Sequence, residues 1–586
     1  MVLELYFETL KSWCDAMLEY QVHDPGKKRF HGGLMCPSCL MIHGRSHDAV
    51  YPLLCMADRT GEERYLRAAL ELFDWGENLI CDDGSFYNDA QGAWNGITVF
   101  AVTGLCEALT WHGHLLSEMQ KLRFEERMRR GAQWIYETIT LDFITNINYH
   151  ATASAALALT GIYFERQDYL ERARLLAHYC ADHILEDGFL YGEGKPAEYV
   201  TGRGCRPVDI GYNVEETTPS LLMYARAVHD HEVLEKVKSL LRSQLDFMLP
   251  DGAWDNSFGT RNFKWTYWGS RTSDGCQQAY GLWGDEEPVF AEAALRNLEL
   301  YRKCTHDGLL HGGPDYAAHG EPACIHHTFC HAKALAAALD HGIKDFERTE
   351  LPSEQAPVLR YYPSVDTYKI SSGGFLGTVT GYDFEYVEGG HASGGTLSML
   401  WHREAGPLIM ASMTSYSMRE IHNMQLSRKK KEHQALTPRV EMMRNGVLYS
   451  QCYDYESVIE SKEQDGEVWV TVEARLADIG HQYPVEPVAV RLRYHFMEDR
   501  LEIDGEVTGD REGAARWLLP VIGRHGKGYE RLDGEVRFPA GDRTIAVTGL
   551  NGEPEPVFYL AAGFEAWMFC AVPDDNGRFQ MSVQVR

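Results

Sequence analysis

Near Gly342 the hydrophobic period of this chain changes from helical to alternating, which limits it to a fold with two unlike halves. Ahead of that point Val50, Leu53, Leu54 and Ala57 recur at i, i+3, i+4 and i+7. Tyr65, Ala68, Ala69 and Leu72 repeat the spacing after the turn Asp58-Arg59-Thr60-Gly61. Further helical runs are expected over about 97–112, 121–140, 150–164, 168–185, 215–230, 231–248, 288–303 and 326–341. A tight turn recurs between them, at Asp83-Gly84, Asp187-Gly188, Asp251-Gly252 and Asp307-Gly308. Its intervals of 104, 64 and 56 residues are too irregular for a regular solenoid. The expectation is an incomplete (α/α) toroid whose Asp-Gly loops gather round a cleft.

Beyond a charged, proline-containing linker the pattern has period two. Val468, Val470 and Val472 alternate with polar residues, as do Val488, Val490, Leu492, Tyr494 and Phe496. Successive strands without intervening helices indicate an antiparallel β-sandwich. The chain therefore divides into a toroid over 1–342, a linker over 343–360 and a β-sandwich over 361–586.

The 586 residues carry 56 Lys and Arg against 85 Asp and Glu, a net charge of −29. That balance argues against nucleic acid or an anionic membrane as a partner. An anionic ligand would need a local positive field. No stretch approaches the roughly 18 apolar residues of a membrane span. The first residues, MVLELYFETLKSWCDAML, read as an amphipathic helix rather than a signal peptide. Fourteen cysteines without regular spacing suit a reducing compartment, so a cytoplasmic location is expected for a monomer or homodimer.

Local cations are concentrated in Asp251–Gly275, where Arg261, Lys264 and Arg271 are interleaved with Trp254, Phe258, Phe263, Trp265, Tyr267 and Trp268. Aromatic faces stack on sugar rings and arginine forks grip carboxylate or sulfate. Trp254, Trp265 and Trp268 are expected to flank a glycan, with Asn256, Arg261, Lys264 and Arg271 holding it. Packing of these aromatics in a core is the bland alternative. Trp94 and Asn95, in QGAWNGIT, and Arg45, on a glycine-hinged loop, are further binding candidates.

Asn148 and His150 open an alanine-rich helix, and Tyr212 precedes another beside Arg203 and Arg206. Each segment also reads as a helix cap. His327 and His331 share a helix face at i, i+4, but the glutamate of a zincin motif is absent. Cys36-Pro37-Ser38-Cys39 with His31 and His43 has zinc-like ligand types, yet no second CxxC follows. A structural metal ion is possible, but none is expected and no cofactor is required. In the β half, the glycine-rich run around His391 lets backbone approach a ligand or the other domain, and Glu420, His422 and Asn423 lie just beyond the next strand.

A toroid followed by a β-sandwich resembles the polysaccharide lyases of the heparinase II/III, alginate lyase and chondroitin AC lyase type. Asn148-Tyr149-His150 looks like their carboxylate-binding Asn-His element, with a tyrosine inserted. Gly211-Tyr212-Asn213-Val214-Glu215 looks like their catalytic tyrosine loop, and HASGGTLSMLWH like their first sandwich strands, with His391 facing the cleft. The resemblance implies β-elimination at a uronic acid, giving a 4,5-unsaturated product. Asn148 would neutralise the carboxylate, helped by Arg45 or Arg261. Tyr212 or His150 would take the C5 proton, Tyr212 would protonate the leaving O4, and His327 is the reserve base. The alternatives are a glycoside hydrolase on the same toroid, using two of Asp83, Asp89, Asp209, Glu215 and Asp255, and a non-catalytic carbohydrate-binding protein.

Overall fold

A computed structural model describes residues 2–88, 94–270, 277–284, 287–355, 358–411, 436–552, 554–559 and 563–586. Arg271, Asp89, Glu420, His422 and Asn423 lie outside the described residues.

Among these residues the helices form five consecutive hairpins, and a sixth pair joins the last helix to the first. Val50–Thr60, Thr98–His112, Ile147–Tyr163, Thr218–Val228, Gln277–Trp283 and Ile325–Asp340 make an inner ring, each packed on the next. Ile325–Asp340 packs in turn on Val50–Thr60 and on the first helix, Val2–Glu19, so the two ends of the helical region close the toroid. Composition decides which helix goes inside. Ile147–Tyr163 (INYHATASAALALTGIY) is buried almost all round, as an interior helix must be. Its alanines let neighbouring helices approach closely. Glu118–Thr138 instead buries one stripe, through Phe124, Met128, Ala132 and Ile135, and belongs to the outer ring.

The Asp-Gly turns follow outer helices rather than lining the cleft. Gly252 has φ +88°, and a Cβ there would lie 2.3 Å from the Arg296 carbonyl oxygen on the next outer helix, Pro288–Cys304. Gly188, at φ +86°, meets Ser243 of the helix His231–Gln244 in the same way. The turn is thus a spacer between successive outer helices that only glycine fits. The segment after each turn crosses inward and starts an inner helix. Those starts, at 43–49, 94–97, 146–149, 209–217, 254–270 and 324–327, carry most of the candidate residues.

The last toroid helix ends at Asp340 and the first strand begins at Val358. The connection is held down by Arg348 on Glu292 at 2.9 Å and by Arg296 on Glu354 at 2.8 Å. Five consecutive antiparallel strands from Val358 to Met410 form the first sheet. Strands Thr367–Ser372, Phe375–Thr380 and Thr396–His402 are buried on both faces. Leu376, Met399 and Trp401 join the toroid core, whereas Ile370, Val379 and Leu400 join the sandwich core. An eight-stranded sheet covers the sandwich side, and its alternating Val468, Val470 and Val472 point inward as the sequence pattern requires.

Polar contacts lock the first sheet to the toroid. Lys369 Nζ lies 2.6 Å from Asp255 Oδ2, and Thr378 donates to the same oxygen. Ser257 and Ser398 hydroxyls meet at 2.7 Å, and Trp401 Nε1 donates to Tyr267 Oη at 3.3 Å. Both Lys369 and Asp255 are buried. Removing one partner of such a pair leaves an uncompensated charge. Asp255→Ala is expected to destabilise the protein by about 3–5 kcal/mol in denaturant unfolding, and adding Lys369→Met to restore most of that loss.

Candidate functional site

The chain enters the helix Thr218–Val228 through an irregular lead. Asp209 accepts from the Tyr212 N–H at 2.9 Å and so caps the short helix Ile210–Tyr212. A π turn, Asn213–Thr217, follows. Pro219 has no N–H to give to the carbonyl four residues back, and the helix widens just ahead of it. The widened turn presents two adjacent carboxylates to different neighbours. Glu216 accepts from the Asn148 side-chain amide, and Glu215 Oε2 lies 3.0 Å from His331 Nε2.

Tyr212, Asn148, Arg261 and Lys264, all expected site residues, come together here. Lys264 Nζ donates to Tyr212 Oη at 3.2 Å, and the Arg261 guanidinium carbon stands 4.2 Å from the Tyr212 ring centroid. Positive charge at both places favours negative charge on the phenol oxygen. Arg261 Nη1 is 3.3 Å from Glu193 Oε2, and its main-chain N–H donates to Asp209 Oδ2 at 2.9 Å. The Asn148 main-chain N–H donates to Glu193 Oε1 at 3.2 Å, and its Oδ1 is buried without a hydrogen-bond partner. Burial pushes the Glu193 carboxyl up to about 7, against the opposing effect of Arg261. Burial also raises Asp209, against the hydrogen bond from the Tyr212 N–H. Burial works against the charge of Arg261, but Tyr212 and Glu193 hold it above the usual arginine range.

His331 Nδ1 lies 2.7 Å from the His327 carbonyl oxygen and must carry a proton to bond it. Its other ring nitrogen, Nε2, faces the Glu215 carboxylate. Trp268 closes this pair off, its ring edge-on to His331 at 4.4 Å and to His327 at 5.3 Å.

Several expected roles are corrected by position. Residues two apart on a helix point about 200° from each other, so His150 faces away from Asn148. Its Nε2 meets the Thr140 carbonyl oxygen at 3.1 Å, its ring packs on Tyr179, and burial lowers it to about 4. Trp254, Trp265 and Trp268 are 0% exposed and present no face to a sugar. They form the underside of the loop, with the Trp265 and Trp268 N–H groups spent on main-chain carbonyls. His327 is buried beside the Trp268 ring. Asn95 ties the first Asp-Gly loop through Ser85 at 2.7 Å, and Asn256 lies behind Asp209 at 3.4 Å. Arg45 pairs with Asp48 at 2.6 Å, shared with Lys333 at 3.1 Å, while stacking on Phe100. His391 meets the Tyr382 carbonyl oxygen at 3.0 Å between Tyr382 and Tyr455, and burial lowers it to about 4. It supports the sandwich loop from behind.

The aromatic faces that are open lie elsewhere. Trp94 is 36% exposed, and its N–H donates to Tyr149 Oη at 2.8 Å. Tyr386, on a sandwich loop, is 37% exposed and lies 5.0 Å from the Arg261 guanidinium. Sequence reasoning missed Tyr386, Tyr149, Glu193 and Glu216. Tyr149 lies within the Asn148-Tyr149-His150 segment, there named only as an insertion, and Glu216 directly follows Gly211-Tyr212-Asn213-Val214-Glu215. Away from this group, Cys36, Cys39, His43 and Cys324 offer ligand atoms all within 4.8 Å of one another, a set that could hold a metal; His31 stays outside it.

Comparison with known proteins matches this architecture. Residues 10–356 match the ulvan lyase N-terminal domain model and residues 359–586 the ulvan lyase C-terminal domain model. A broad-specificity ulvan lyase from Formosa agariphila is 43% identical over 464 residues, 78% of this chain and 72% of that protein. The Streptomyces coelicolor chondroitin AC lyase in complex with chondroitin sulphate shares the fold, with TM-score 0.51 and 12% identity over 100% of this chain and 79% of that one. The Pedobacter heparinus heparan sulfate lyase HepC covers 98% of this chain and 82% of its own at 11% identity and TM-score 0.48. With both domain models matched in order along one chain, this protein belongs to the ulvan lyase family and is a polysaccharide lyase that cleaves uronate-containing glycans by β-elimination.

Proposed function

We propose that the substrate is ulvan or a closely similar anionic polysaccharide, and that Tyr212 is the proton-transfer residue. The substrate reading rests on the 43% identical relative. The residue assignment rests on the paired cations on one phenol, Lys264 at its oxygen and Arg261 on its ring.

The C5 proton of a uronate is too weakly acidic for an unaided base. Arg261 and the second N–H of the Asn148 amide receive the carboxylate and take up the charge that develops when C5 is deprotonated. The Tyr212 phenolate, stabilised by Lys264, removes the C5 proton. The electron pair left on C5 forms the C4=C5 bond as the C4–O4 bond breaks. O4 departs with the proton that Tyr212 has just acquired, which restores the phenolate. Trp94 and Tyr386, the exposed aromatics beside Tyr149 and Arg261, stack the flanking sugars. Glu193 holds Arg261 in place and, titrating near neutrality, limits how much negative charge the pocket sets against an anionic substrate.

Near-ultraviolet absorbance of the C4=C5 uronate during incubation with ulvan, chondroitin, heparan and alginate tests the substrate. A rise with ulvan is expected; a rise with another polymer and none with ulvan overturns that part. Tyr212→Phe is expected to lower kcat by about 10²–10⁴ with a small change in KM. Asn148→Ala is expected to cost about 10²–10³ in kcat. His150→Gln should stay near the parent rate; a loss matching that of Tyr212→Phe would return His150 to the reaction.

Glu193 also predicts a pH dependence of stability. Its folded value of about 7 exceeds the ordinary 4.5, so the folded state binds more protons between those values. Stability contributed by this group is present at low pH and is lost as pH rises through about 7, by about 3 kcal/mol in all. Glu193→Gln should flatten that fall in unfolding measurements between about pH 5 and 8.

A further inference from the structure

Cys36, Cys39 and His43 sit on the loop between the first outer helix and the first inner helix, and Cys324 is the N-cap of the last inner helix, Ile325–Asp340. Cys36 Sγ lies 3.8 Å from Cys324 Sγ, and Cys39 Sγ lies 3.8 Å from the same sulfur. Cys324 Sγ lies 3.7 Å from His43 Nε2. Disulfide sulfurs would be about 2.05 Å apart, so these thiols are not bonded. A tetrahedron with zinc–sulfur arms of about 2.3 Å has edges of about 3.8 Å, and a sulfur–nitrogen edge is slightly shorter. All three separations fit that figure, with four ligand atoms turned toward one centre.

The loop is also shaped for a thiolate. The Cys39 N–H points at Cys36 Sγ at 3.4 Å, and the Leu40 N–H donates to the Cys36 carbonyl oxygen at 2.9 Å. Leu40 takes a positive φ of 55° to close this turn, and the Cys36 N–H donates to the Met41 carbonyl oxygen at 2.8 Å. Directing a main-chain N–H at a sulfur stabilises its anionic form, as a metal ligand requires. Cys36 and Cys324 are 0% exposed and Leu40 is 74% exposed, so the ligands face inward from a turn that solvent surrounds.

We propose that Cys36, Cys39, His43 and Cys324 bind one zinc ion with tetrahedral geometry. Four protein ligands leave no open position for water or substrate, so the ion is structural. Its place gives it a definite task. The loop and Cys324 belong to the two ends of the ring, and zinc cross-links them where the toroid closes. Gly44–Ala49, carrying Arg45 and Asp48, begins immediately after His43, and His326 follows Cys324 by two residues, its ring edge-on to His43 at 5.7 Å. The ion therefore fixes the lead into the first inner helix against the start of the last one, with no open position for substrate.

The test is elemental analysis of the full chain purified without chelator or added metal, with cobalt(II) substitution followed by absorption spectroscopy. About one zinc per chain is expected, together with a cobalt derivative showing thiolate-to-cobalt charge transfer and intense tetrahedral ligand-field bands. Cys324→Ser should lose most of the metal. Should that variant not fold, titrating the parent protein with a mercurial thiol reagent and a zinc indicator gives the same information: zinc release in step with the first thiols modified is expected. Metal-free parent protein whose cobalt spectrum lacks sulfur charge transfer, or a disulfide joining Cys324 to Cys36 or Cys39 in mass spectrometry, would overturn the proposal. These readouts do not involve catalysis, so they stand or fall separately from the substrate and from Tyr212.

Discussion

The inner helices of the ring are buried on nearly every side, so the interior offers polar positions chiefly at helix ends. Ile147–Tyr163 and Ile325–Asp340 illustrate the constraint, since almost every residue of each is buried. Unsatisfied N–H groups at the start of a helix need acceptors, and an isolated polar side chain mid-helix would go unpaired. Asn148, Tyr212, Glu215, Glu216 and His326 all lie within the first turns of inner helices or their leads. The site is therefore not added to the toroid. It occupies the N-terminal ends of the inner helices, as the cluster of Asp58, His112, Arg59 and Asp340 occupies their C-terminal ends.

Density brings a second constraint. Glu193, Asp209, Glu215 and Glu216 are all buried within one small region, an expensive arrangement unless cations or protons offset it. Both are used. Arg261 reaches Glu193 with its guanidinium and Asp209 with its main-chain N–H. Glu193, raised to about 7, titrates instead of remaining fully charged at neutral pH. The Glu215 carboxylate faces the His331 imidazole at 3.0 Å. A chain with a net charge of −29 thus receives an anion by keeping its positive charge local and part of its negative charge masked.

Features written locally were legible in the sequence. The helical and alternating periods, the switch near Gly342 and the Asn148 and Tyr212 segments depend on neighbours a few residues away. The Arg261 and Lys264 loop was found because its cations stand out against an acidic chain. Which side of that loop faces solvent was not legible: its three tryptophans have the composition of a sugar platform and the position of a core. His150 was misread despite a local signal, because helical geometry already separates it from Asn148. The rest depends on distance along the chain. Cys324 is 288 residues from Cys36, and Glu215 is 116 residues from His331. Only closure of the ring brings such pairs together, and no spacing rule in one sequence reports it.

The carboxylates that suggested a hydrolase show why elimination is the chemistry this cleft supports. Hydrolysis needs one carboxyl group to protonate the leaving oxygen and another to act as nucleophile or to activate water, on opposite faces of the sugar. Asp255 is held by Lys369, Thr378 and Ser257 at the domain interface. Asp83 caps its own turn through Ser85, and Asp209 caps Tyr212 and supports Arg261. Glu215 faces His331 behind the Trp268 ring. Among the described residues each has a structural partner in the position where a hydrolase would need it facing the sugar. Tyr212 has instead a cation on its oxygen and another on its ring, the environment that a proton-shuttling phenolate needs and that a water-activating carboxylate would not use.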